Sequence, residues 1–190
     1  LFSLFLFLLM LSTAAVSQIK YPGVNLAGAE FGGSHLPGIH NQHYTYPTKA
    51  EVDYFVAKGM NTFRLPFKWE RLQHSEYEAL NTAEFMRIQE FVEYATSKQA
   101  FTVLDPHNYA RYYGSVIGDE VPVEAFVDFW QKLAGEFKDN SYVIFGLMNE
   151  PHGMETELWL SNANAAIAGI RSIGAENLIL VPGNAYTGAH

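Results

Sequence analysis

The sequence predicts an α/β protein and, within that class, a (β/α)8 barrel of which this chain carries roughly the first five βα units. Three observations lead there. Short, nearly continuous apolar runs alternate with stretches of helical periodicity, the order expected of a parallel sheet covered on both faces. Polar residues, namely Asn25, Arg64, His107 and Asn149-Glu150, stand at the C-terminal ends of successive runs, on the rim where barrels build their sites. The alternative closure is an open doubly wound sheet. No G-x-G-x-x-G or G-x-x-x-x-G-K-[ST] follows a run, which argues against the nucleotide-binding open sheets.

The elements follow in order. Residues 1–11, LFSLFLFLLML, are apolar apart from Ser3, and small residues continue to Ser17. This matches the apolar and cleavage regions of a secretory signal peptide over 1–17, and the run is too short for the roughly 20 residues of a membrane span. With no initiator Met and no basic n-region, the chain is expected to begin inside its own reading frame, and a secreted, extracellular location is expected. Residues 18–190 form one domain with no linker or low-complexity tract.

Strands are predicted over 22–28 (PGVNLAG), 62–67 (TFRLPF), 101–106 (FTVLDP), 142–148 (YVIFGLM) and 178–182 (LILVP). Between them, Thr48 and Glu51 form a possible capping box ahead of Val52, Phe55 and Val56, with Gly59 as the stop. Asn81 caps a helix bearing Phe85, Ile88, Val92 and Ala95. Pro122 opens one bearing Phe126, Trp130, Leu133 and Phe137. Leu160, Ala163, Ile167 and Ile170 mark the last, before Gly174. Each stripe is one narrow helical face and reads as core packing. A full barrel needs about 250 residues, so truncation after the fifth strand is expected.

Composition narrows the function. A net charge of -8 with 12 basic residues and no basic run excludes a phosphate-neutralising surface, so no nucleic acid partner is expected. There are no cysteines, hence neither disulfide framework nor thiolate metal site. His35, His40 and His43 cluster in a Gly-rich loop without a carboxylate pattern, and no H-x-H or H-E-x-x-H occurs, so no metal is assigned.

The chemistry-bearing candidates lie on the rim. Glu150 ends a buried strand, where desolvation favours the protonated carboxyl that a general acid needs, and Pro151 biases it toward an extended backbone. A carboxylate in an ion pair or at a helix start fits the same three residues. Arg64 points away from Phe63 and Leu65 and needs carboxylate partners, either to hold a catalytic group or in a structural ion pair. His107 can donate to a sugar hydroxyl or a carboxylate, or be a satisfied core histidine. Phe31, Trp69, Tyr109, Tyr112, Tyr113 and Tyr186 offer aromatic faces suited to pyranose rings or to the core.

Five segments in one order carry a resemblance: GVNLAGAEFG (23–32), NTFRLPFKWERL (61–72), LDPHNYARYYG (104–114), YVIFGLMNEPHG (142–153) and LILVPGNAYTGA (178–189). Together they resemble glycoside hydrolase family 5, and within it the fungal endo-β-1,4-glucanases. The resemblance implies a TIM barrel, with residues 18–190 a partial catalytic domain, that hydrolyses β-glucan with retention of configuration and without a cofactor. It implies that Glu150 is the acid/base and that Asn149 bonds the sugar's 2-hydroxyl. Arg64 would support the nucleophile, and His107 would line the subsite where the bond breaks. Of the rim aromatics, Tyr109 and Trp69 are expected to contact substrate by stacking. The family's nucleophile, a glutamate ending strand seven, would lie beyond His190. Glu176 precedes a strand and is at the wrong end to replace it. Tyr186 stands where related cellulases often carry Trp. The full-length protein is expected to be a monomer without a membrane anchor. A β-1,4-mannanase, a β-1,3-glucanase or a non-catalytic carbohydrate-binding remnant are the competing readings.

Overall fold

A computed structural model of the chain describes residues 19–187. The expected signal peptide over 1–17 lies outside the described residues. Five parallel strands form one sheet: β1 (Gly23–Asn25), β2 (Thr62–Phe67), β3 (Phe101–Pro106), β6 (Val143–Gly146) and β7 (Ile179–Leu180), in the spatial order β1-β2-β3-β6-β7. Chain order and spatial order coincide and every pairing is parallel, so each polar residue that follows a strand arrives at the same end of the sheet. Register places Asn25 beside Arg64, Arg64 beside Val103, and Leu104 beside Phe145. A two-stranded antiparallel ribbon, β4 (Arg111–Tyr112) with β5 (Ser115–Val116), was not foreseen and sits in the connection after β3.

The helices are α1 (Lys49–Val56), α2 (Trp69–Leu72), α3 (Thr82–Ser97), α4 (Val123–Phe137) and α5 (Thr156–Ser172). The expected starts of three of them hold. Thr48 and Glu51 make a reciprocal capping box on α1, the Asn81 side chain accepts from the Glu84 amide on α3, and Pro122 immediately precedes α4. The α4 stripe is buried as expected. On α5, Ala163 and Ile170 are buried and Ile167 packs on the core as expected, but Leu160 is exposed and Trp159 and Ala166 complete the core side. Gly169 explains how closely α5 approaches α4, because a Cβ there would stand 2.6 Å from Val127 Cγ1.

One apolar layer joins the outward strand residues Phe63, Leu65, Leu104 and Phe145 to the inward helix residues Ile88, Phe126, Trp130 and Leu133. Asn177 staples the layer just ahead of β7. Its Nδ2 lies 2.9 Å from the Asn140 carbonyl and 3.0 Å from that of Val143, tying β7 to the turn between α4 and β6. The first predicted strand ends early at Asn25, since Gly28 takes φ +150° and turns the chain.

Candidate active site

Arg64 is the hub of the strand ends. It lies mid-way along β2 with its side chain on the opposite face from the buried Phe63 and Leu65, so the guanidinium emerges among the neighbouring strands' polar residues. Nη1 donates to Asn25 Oδ1 at 2.5 Å, and Nη2 donates to Asn149 Oδ1 at 2.5 Å. The carboxylate partner that burial demanded is Asp105, whose Oδ2 is 2.8 Å from Arg64 Nη2. His107 Nδ1 lies 3.1 Å from the same oxygen. A carboxylate accepts only, so this contact assigns a proton to Nδ1. Four strands thus contribute to one network: Asn25 ending β1, Arg64 in β2, Asp105 and His107 at the end of β3, and Asn149 after β6.

Asp105 escaped the sequence reading, where Asp105-Pro106 passed for a strand end. The signal was its spacing: residues two apart on a strand share a face, so Asp105 and His107 had to point the same way.

Asn149 is buried, and its Oδ1 is taken by Arg64. Its Nδ2 has no hydrogen-bond partner among the described residues. Buried donors are nearly always satisfied, so an unpaired one on a residue that lines a cleft stands out. That cleft has a volume of about 410 Å³ and is lined by Arg64, Asp105, Asn149, Glu150 and Tyr186, with Val103, Met148 and Leu180 beneath.

Glu150 borders this cleft but departs from two expectations. Its side chain is exposed, so the dry surroundings expected of it are absent among the described residues. Its backbone has φ +39°, in the left-handed region, where the following proline led us to expect an extended one. The surrounding bonds explain this. The Asn149 amide donates to the Pro106 carbonyl at 2.9 Å, and the Asn149 carbonyl accepts from the Tyr109 amide at 3.1 Å. The Glu150 carbonyl is 3.0 Å from His152 Nδ1, and the Pro151 carbonyl accepts from the Tyr186 amide at 3.1 Å. Tertiary contacts fix the turn that local preference opposes.

Aromatic and imidazole rings continue from this point along the rim. His107 meets Tyr109 edge-on at 5.3 Å, Tyr109 meets His152 at 5.5 Å, and His152 stacks on Tyr186 at 4.2 Å. Burial and then the negative charge of Glu150 push the Tyr109 hydroxyl above its usual range, which places phenol and carboxylate in one neighbourhood. Lys68 Nζ donates to the His107 carbonyl at 2.6 Å and lies 5.3 Å from the Tyr109 ring centre.

Trp69 is a correction. It is fully buried, packed 4.4 Å from Tyr112 and 4.9 Å from Phe129, with its indole N–H on Gln73 Oε1 at 2.9 Å. The one-turn helix α2 begins at this residue and turns the ring into the core, so it cannot face a sugar. Tyr112 is likewise core, whereas Phe31, Tyr113 and Tyr186 are exposed. Glu176 is exposed at the entry of β7, the opposite end from Glu150. His35 and His43 stack at 4.5 Å, with His43 Nδ1 accepting from the Ile39 amide. A second cavity of about 540 Å³ lies between the 40–48 loop and helices α1 and α3. Its charges are internally paired, Lys49 with Glu90 at 2.8 Å and Arg87 with Glu84 at 2.9 Å, and it stands away from the strand ends.

Comparison with known proteins agrees with this geometry. Residues 22–190 match the model of the cellulase family (glycosyl hydrolase family 5). Endoglucanase 1 of Robillarda sp. (strain Y-20) is 41% identical over 206 residues, covering 95% of this chain and 54% of that protein. A probable endo-beta-1,4-glucanase B of Aspergillus oryzae is 42% identical, covering 91% and 52%. The solved structure of XacCel5A in complex with cellopentaose superposes with a TM-score of 0.88 at 50% identity, over 90% of this chain and 55% of that one. The chain thus spans about half the length of the relatives it matches, and its five strands correspond to part of a (β/α)8 barrel. It belongs to the cellulase family, glycosyl hydrolase family 5.

Proposed function

We propose that this chain supplies the first half of the active-site rim of a secreted, retaining endo-β-1,4-glucanase, with Glu150 as its general acid/base. The observation that carries the reading is the constellation at one end of the sheet. Arg64 and Asp105 fix Asn149 and His107, Asn149 keeps a buried donor free, and Glu150 follows it into the same cleft. The names of the relatives and the cellopentaose bound in a structural neighbour support a β-1,4-glucan substrate.

In the proposed reaction Asn149 Nδ2 donates to the sugar's 2-hydroxyl, a bond that strengthens as the ring approaches the oxocarbenium-like transition state. His107 presents Nε2 to a neighbouring hydroxyl. A second carboxylate, about 5–5.5 Å from Glu150, attacks the anomeric carbon. In the family pattern that group is a glutamate ending a seventh strand. Glu150 protonates the departing glycosidic oxygen, then takes a proton from water as the glycosyl-enzyme is hydrolysed. Proton transfer and carboxylate attack suffice, so the reaction calls for no metal or organic cofactor.

The test uses the protein carrying the complete barrel on carboxymethylcellulose, β-1,4-mannan and laminarin. A preferred, rapid loss of carboxymethylcellulose viscosity, with β-anomers as the first products by NMR, is the expected result. Preference for mannan or laminarin would move the substrate to those polysaccharides, and α-anomers would overturn the retaining mechanism.

A further inference from the structure

We infer that Arg111 is a positioning residue for the acid/base: it locks the strained turn at Glu150 to the loop that follows β3. The inference rests on the assignment of Glu150 given above. The turn from Asn149 to His152 has four backbone carbonyls, and each has a partner. The first three bind the Tyr109 amide, the His152 ring and the Tyr186 amide. The fourth, His152 O, accepts from Arg111 Nη1 at 3.0 Å, and the same nitrogen donates to the Tyr109 carbonyl at 2.8 Å. One guanidinium therefore bridges two segments that carry positive φ, Tyr109 at +58° and Glu150 at +39°. Strained backbone persists only where its surroundings over-determine it, and this bridge closes the set.

Arg111 is itself held in place. It begins the β4–β5 ribbon, its amide donates to the Asn108 carbonyl at 2.9 Å, and the adjacent Tyr112 is anchored in the core with its hydroxyl on the Gln73 carbonyl at 2.7 Å. Beneath, buried Glu70 accepts from Asn108 Nδ2 at 2.7 Å and from the Tyr113 amide at 2.8 Å. Across the bridge, room for the guanidinium comes from Gly153, where a Cβ would approach Arg111 Nη2 to 3.1 Å. The ribbon thus carries a rigid cation to the far side of the Glu150 turn. Losing the bridge lets the turn relax and moves the carboxyl off the leaving oxygen, while the Arg64 network on the other side stays intact.

The test compares Arg111→Met, Arg111→Lys and Glu150→Gln in the protein carrying the complete barrel. Substrates are cellopentaose, whose leaving group needs a proton, and an aryl cellobioside with a dinitrophenolate leaving group, which does not. Arg111→Met is expected to lose kcat on cellopentaose by on the order of 100-fold, the scale of an ångström-sized misplacement, with KM little changed. On the aryl glycoside its glycosylation step should stay within a few-fold of wild type. Arg111→Lys, which keeps a donor, should restore part of the cellopentaose rate, and it carries the test if the Met variant does not fold. Equal losses on both substrates, or none on either, would overturn the positioning role. If Glu150→Gln itself fails to discriminate between the substrates, the acid/base assignment falls instead.

Discussion

Glu150 combines a left-handed φ with a following proline, a pairing that costs on the order of 1–3 kcal/mol and needs tertiary contacts to hold it. Those contacts come from residues far apart in sequence, which is why the motif reveals the carboxylate and not its backbone. Arg64, His107 and Asn149 were legible for a simple reason: a polar side chain ending a buried strand has few places to go but the rim. Asp105 answers the question Arg64 posed, since a half-buried guanidinium needs a carboxylate. Asp105→Asn would leave Arg64 with neutral acceptors only and take the charged acceptor from His107. The expected cost is about 1–3 kcal/mol in stability by denaturant titration, as for a buried group short of its partner. A fall in kcat larger than any rise in KM should accompany it. Wild-type stability and rate would mean that Asn25 and Asn149 alone satisfy the arginine.

At the level of elements, periodicity located α3 and α4 and their buried faces, because an apolar stripe on a helix has one consistent direction to face. It failed where a short element redirects a side chain. Trp69 follows a strand directly, a place open to rim and core alike, and the single turn of α2 decides for the core. On α5, Ala163, Ile167 and Ile170 face the core as expected, and of the predicted stripe Leu160 alone is exposed, its place at the start of the face taken by Trp159. Trp69→Ala is expected to destabilise the protein by about 3–5 kcal/mol through the cavity it leaves, measured by thermal or chemical unfolding. KM for cellopentaose at a temperature where the variant is folded should not change. A raised KM in a variant of undiminished stability would return Trp69 to the substrate cleft.

For the whole molecule, the parallel sheet with chain order equal to spatial order gathers every post-strand residue at one end, and that single topological fact assembles the site. It was legible from the alternation of apolar runs and helical stripes. The ribbon β4–β5 was not, since two-residue strands leave no periodicity to read. Among the described residues the sheet ends at β7, whose neighbourhood exposes Leu178, Leu180 and Val181. An exposed apolar strand edge is a surface on which a further strand can pair.

In the proposed reaction Glu150 donates the proton to the leaving glycosidic oxygen. The most direct measurement is the rate of Glu150→Gln, in the protein with the complete barrel, on aryl cellobiosides of graded leaving-group acidity and on cellopentaose. The expected result is a loss on the order of 100- to 10,000-fold on cellopentaose, shrinking steadily as the leaving group becomes more acidic. Wild-type rates on both kinds of substrate would contradict the claim.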